Sequence, residues 1–131
     1  MNANTIEPLS DCRPERGNHS LTPGRVQRRR LAGHPWQKYF LYQPSDCTEG
    51  APVLVVVHGI SRNARAQAQA FASLAERFGV VVVAPLFPRT RFPRYQQLGI
   101  SRGAIYPRPD QALGQILQEV GRLTGARTGR I

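Results

Sequence analysis

The sequence predicts an α/β fold built on an open, mostly parallel sheet with flanking helices and a disordered N-terminal tail. Residues 53–57 and 80–84 are uninterrupted apolar runs dominated by valine, the pattern of strands covered on both faces. Between them, residues 64–78 repeat apolar side chains at helical spacing, with Ala68, Phe71, Ala72, Ala75 and Phe78 on one face. Strand, helix and strand in direct succession read as a βαβ crossover, the common route between parallel neighbours.

At 131 residues there is room for one small domain. Residues 1–24 mix Asn, Ser, Thr, Pro, Gly and charges without apolar periodicity and read as a disordered tail. The domain is placed at 25–131. Arg25, Arg28, Arg29 and Arg30 form a basic patch, and order is expected from near Trp36. The aromatic run from Trp36 to Tyr42, bounded by Pro35 and Pro44, reads as a strand. A turn then leads to Pro52, and Gly79 stops the helix that follows the valine strand. Beyond it, Pro85, Pro88, Pro93, Pro107 and Pro109 exclude a persistent helix. Arg89, Arg91, Arg94, Arg102 and Arg108 make residues 89–108 a basic loop, read first as solvated and second as a lure for an anionic substrate. Asp110 is placed to cap a last helix. Its apolar face is Leu113, Ile116, Leu117, Val120 and Leu123, and residues 125–129 end it.

The formal net charge is +10, and Lys38 is the one lysine among 18 basic residues. Such a balance favours anionic partners. No aromatic residues interleave with the arginines as base-stacking platforms would, so no specific nucleic acid is expected. Cys12 and Cys47 read as unrelated reduced thiols. Cys12, His19, His34 and Cys47 lack zinc spacing, so no metal is expected. Neither G-x-G-x-x-G nor a P-loop string occurs, and no cofactor is expected. No apolar run approaches the roughly 18 residues of a membrane span, and the start lacks the pattern of a secretory leader. These features are those of a cytoplasmic protein with no membrane partner.

In an open parallel sheet, ligands bind beyond the carboxyl ends of the strands. Two such ends are His58-Gly59-Ile60-Ser61 and Ala84-Pro85-Leu86-Phe87. A glycine after a buried strand lets the backbone turn and present N–H groups, which is what an oxyanion hole requires. On these residues alone, a tight turn with a packed His58 is an equal reading.

Taken together, the run Trp36 to Tyr42, the string Val53 to Asn63 with its His-Gly, the helix to Phe78 and the string Gly79 to Phe87 resemble the α/β-hydrolase superfamily. The likeness is to its esterase and depolymerase-like members. It implies that His58 and Gly59 shape an oxyanion loop and that Ile60 donates its backbone N–H. It also implies an ester-like small-molecule substrate and a serine nucleophile on a G-x-S-x-G elbow. That elbow would follow the last helix, with Arg130 and Ile131 opening its strand. The resemblance therefore covers only the N-terminal portion of such a domain, a truncated fragment expected to be inactive alone. Its uncovered sheet edge is expected to favour self-association.

Gly99-Ile100-Ser101-Arg102-Gly103 matches the elbow string, but the residues around it fit neither the strand before nor the helix after. His19, His34 and His58 all precede Ser101, whereas the family order places the histidine after the serine. Ser101 is therefore a decoy, and Ser61 lacks an evident base. The alternative to a hydrolase is a basic, non-catalytic module for nucleic acid or another polyanion.

Overall fold

The computed structural model describes residues 21–46, 49–92 and 108–129. Strand β1 (Val26–Leu31) turns through Ala32 and Gly33 into β2 (His34–Tyr42). Gly33 adopts φ 83°, a left-handed conformation that side chains rarely take. After a loop come β3 (Val53–Val55), helices α1 (Ala64–Ala70) and α2 (Ala72–Phe78), β4 (Val81–Pro85) and α3 (Pro109–Thr124). The sheet order is β1-β2-β4-β3.

The expected mostly parallel sheet is overturned. β1 pairs antiparallel with β2, β2 pairs antiparallel with β4, and only β3 and β4 run parallel. The parallel expectation was drawn from the βαβ unit, which forms as predicted. What it omitted was β1, because Val-Gln-Arg-Arg-Arg-Leu reads as a charged patch rather than a strand. Charged side chains are nevertheless well suited to an edge strand. A two-residue connection can join only antiparallel neighbours. Order accordingly begins ahead of Trp36: Leu21 is buried, and the Gly24 N–H donates to the Gln43 carbonyl at 2.8 Å.

All five residues of β4 are buried. Val81 and Val83 face Tyr39, Leu41, Ile116 and Val120 on the α3 side. Val82 and Ala84 face Phe40, Tyr42, Ala64, Ala68 and Ala75 on the α1–α2 side. β3 is covered less fully than expected, its three residues being half-buried and Val57 beyond it exposed. It lies at the sheet edge, although the Val56 N–H still donates to the Val83 carbonyl at 2.9 Å.

The helix predicted over 64–78 is broken at Phe71 (φ −99°, ψ 1°), whose N–H reaches the Ala68 carbonyl in a tighter turn. Phe78, expected on the buried face, is 61% exposed at the end of α2. Asn63 caps α1 through a side-chain bond to the Ala66 N–H, and left-handed Gly79 ends α2 as expected. The N-cap of α3 is Arg108, not Asp110. Pro109 takes the first helical position, where its fixed φ suits a helix and its missing N–H is no loss. Asp110 falls in the first turn and pairs with Arg108 at 3.2 Å. Ala112, Ile116, Leu117 and Val120 are buried on the predicted face, with Leu113 and Leu123 half-buried. After left-handed Gly125, Arg127 bridges in parallel to Pro52, and its N–H donates to the Ala51 carbonyl at 2.8 Å. No helix among the described residues is long and apolar enough to cross a membrane.

One buried acid joins α3 to the hairpin. Glu119 accepts the Ala32 N–H at 2.8 Å and the Tyr39 hydroxyl. Burial first, and the bond to Glu119 second, push the Tyr39 hydroxyl above its ordinary pKa, so it remains a donor. A hydrogen bond to a charged partner contributes about 1.5–3 kcal/mol. Tyr39→Phe is expected to lower unfolding stability by about that amount in urea titrations; a change near zero would show that Glu119 is satisfied without it.

Candidate functional site

The carboxyl ends of β3 and β4 lie side by side because these strands are parallel neighbours. The chain leaving β3 buries His58 and then exposes Gly59, Ile60 and Ser61. The His58 Nε2 accepts the Phe87 N–H at 3.0 Å, and its Nδ1 lies 3.0 Å from the Gly59 carbonyl. Accepting at Nε2 assigns the proton to Nδ1, which therefore donates to Gly59. The imidazole is neutral and both nitrogens are engaged. Burial, the largest cause, lowers the His58 pKa, and the nearby Arg62 charge adds to this. His58 thus fastens one strand-end loop to the other and is in no position to take a proton from a nucleophile.

Arg62 completes the clamp. Its Nη1 donates to the Phe87 carbonyl and, at 3.1 Å, to the Phe92 carbonyl. Its N–H donates to the Gly59 carbonyl at 3.0 Å, closing a turn with Ile60 and Ser61 at the corners. That hydrogen bond consumes neither corner's N–H. Ile60 is 77% exposed at the corner of this turn. Beneath the clamp, Phe87 and Phe92 meet edge-on at 5.1 Å, Trp36 packs on Phe92, and the Arg91 guanidinium lies 4.3 Å over Trp36.

His58, Gly59 and Ile60 follow one another in the chain leaving β3, but the conformational demand expected at Gly59 falls elsewhere. Gly59 does not adopt a positive φ, and a Cβ there would meet open space. The left-handed residue is Arg62, at φ 58°. This is uncommon for a side chain of that size, and no composition signal marks it. The proximity of Arg62 to the His-Gly string was its only trace in the sequence. Ser61 is exposed, with no base described beside it. Ser101, Cys12, His19, Cys47 and Arg130–Ile131 lie outside the described residues, as does most of the basic loop 89–108. Among the described residues, no group of three or more His, Cys, Asp or Glu could hold a metal ion.

No protein-family model matches the sequence, and no curated protein does. Solved structures do. The poly(aspartic acid) hydrolase-1 of Sphingomonas sp. KT-1 superposes with a TM-score of 0.66 at 26% identity, over 81% of this chain and 44% of that one. The poly(3-hydroxybutyrate) depolymerase of Bordetella parapertussis superposes with a TM-score of 0.59 at 22% identity, over 79% of this chain and 40% of that one. The chain is thus similar in fold to α/β-hydrolase esterases and depolymerases, and it spans less than half the length of these two relatives.

The clamp yields two expectations. The lowered His58 pKa means that the unfolded chain binds its proton first as pH falls. The stability from neutral His58 is therefore full above the ordinary value of about 6.5 and is lost as pH drops below it. Urea midpoints of the wild type should fall from about pH 7.5 to about pH 5 more steeply than those of His58→Gln; equal slopes would remove His58 from the clamp. Gly59→Ala should change stability by no more than about 0.5 kcal/mol, and a larger loss would show that Gly59 needs a conformation other than the one described.

Proposed function

We propose that residues 58–62 form the oxyanion loop of a hydrolase acting on an ester-like carbonyl, with the Ile60 N–H as donor. The observation that carries this reading is the exposed turn at Ile60 and Ser61. It is held rigid by His58 and Arg62 at the carboxyl end of the sheet, in a chain whose fold resembles hydrolases. A donor fixed in advance stabilises the negative charge that develops on the carbonyl oxygen during attack, without reorganising at that moment. The clamp supplies that rigidity: neutral His58 fixes the base of the loop and Arg62 fixes its far side.

On this reading, the described residues bind and polarise the carbonyl and do not attack it. His58 has both nitrogens engaged, and Ser61 has no base described beside it. The serine nucleophile, its acid and its histidine are, on this reading, not among the described residues, and the superpositions cover 44% and 40% of the two hydrolases. The 131-residue chain is therefore expected to hydrolyse short p-nitrophenyl esters no faster than buffer.

The positive test is a fusion. Joined in cis to the portion of the Sphingomonas hydrolase that the superposition leaves uncovered, the chain should turn these esters over. Ile60→Pro, which removes the N–H, should then lower kcat by about 10²–10³ with little change in KM. A folded fusion indifferent to Ile60→Pro would discard the loop assignment. Turnover by the unfused chain that Ser101→Ala abolishes would discard the whole reading.

A further inference from the structure

β1 ends the sheet, and no described segment pairs with its outer side. Directly opposed residues of an antiparallel pair point to the same face, so the register sets Arg30 beside Lys38 and Arg28 beside Phe40 on one face. Phe40 packs on the α1 side, where the Arg65 guanidinium covers its ring at 5.2 Å. Arg28, Arg30, Lys38 and Arg65 thus form a single cationic row. Like charges set directly opposite destabilise a sheet, yet none of these four is ion-paired among the described residues. Arg29, pointing to the other face, differs: it lies against the Tyr39 hydroxyl, which also binds the carboxylate of Glu119. Among the described residues, one face of the strand is supplied with its acid and the other is not.

A groove of about 530 Å³ is lined by Arg28, Arg29 and Arg30 of this strand and by Pro35 of β2. We propose that β1 is a docking edge for an extended acidic peptide, which adds to the sheet as a further strand. Alternate residues of a strand repeat at about 7 Å. An extended peptide with carboxylates at alternate positions therefore presents them at the spacing of Arg28 and Arg30, and guanidinium groups bind carboxylates through paired hydrogen bonds. Main-chain bonds along the open edge supply affinity, and the arginine row supplies selection. A second copy of β1 is rejected, because it would set arginine against arginine. Single-stranded nucleic acid finds no stacking platform on Phe40, which is buried and already covered by Arg65.

The test is fluorescence anisotropy of the full chain with a short peptide carrying Glu at alternate positions, at two salt concentrations. Saturable binding is expected, with amide NMR shifts concentrated on residues 26–31. Backbone N-methylation of the peptide, which blocks strand pairing and leaves its charges, should weaken binding at least about tenfold. Arg28→Glu with Arg30→Glu should weaken it similarly, with folding checked by circular dichroism. The wild-type result with the N-methylated peptide stands even if that variant fails to fold. Equal affinity for the N-methylated peptide would overturn strand addition, and equal or tighter binding of duplex DNA of matched charge would overturn the choice of partner.

Discussion

Everything described here is organised by the complete burial of β4. A strand with no exposed residue must have partners on both edges and cover on both faces, since an unpaired buried backbone group loses about as much as a missing hydrogen bond. β2 and β3 supply the edges, α3 covers one face, and α1 with α2 covers the other. The alternation of β4 divides the core accordingly, Val81 and Val83 to one side and Val82 and Ala84 to the other. Because β3 lies parallel to β4, their carboxyl ends emerge together, and the site exists only by virtue of that adjacency.

Much of this was legible in the sequence because local chemistry and tertiary role agree. The second valine run, the alanine-rich helical face, Gly79 as a helix stop and the apolar face of α3 lie where the sequence pattern puts them. The first valine run forms a strand only over Val53–Val55, at the sheet edge. Misreadings arose where the two disagree. Arg28, Arg29 and Arg30 carry charge, which signals loop, yet an edge strand tolerates charge and the hairpin turn at Gly33 enforces pairing. Asp110 has the better capping side chain, yet Pro109 before it takes the first helical position and puts the cap two residues earlier, at Arg108. Phe71 and Phe78 fit one helical face only if the helix is continuous, and the turn at Phe71 removes that condition.

The candidate site was legible as a strand end and opaque in construction. His-Gly after a valine strand marks the strand end and allows a packed His58, but nothing in the string names the groups that fasten it. The partners that consume it, Phe87 and the Gly59 carbonyl, are a remote backbone group and an adjacent one. Arg62 was missed for a similar reason: its guanidinium meets two carbonyls that become neighbours only after the sheet forms. A comparable fastening occurs below the sheet, where the Glu76 carboxylate accepts the Tyr42 hydroxyl at 2.6 Å and both the N–H and hydroxyl of Ser45 at 2.9 Å. These donors, Tyr42 foremost, hold the Glu76 carboxyl below its ordinary pKa. α2 is thereby fixed to the turn after β2, just as the loop after β3 is fixed to the loop after β4.

The backbone bridge between Pro52 and Arg127 bears on how the chain assembles in time. Among the described backbone contacts, the bonds joining residues 50–52 to 125–127 span the longest stretch of chain, and they enclose β3, both short helices, β4 and α3. Loop closure grows more unfavourable with the length enclosed, and non-local pairing slows folding. The β1–β2 hairpin closes over a two-residue turn and has no such delay. The entropy of the chain thus separates a fast, local hairpin from a slow, global closure. The clamp at His58 and Arg62 lies within the segment that the slow closure encloses.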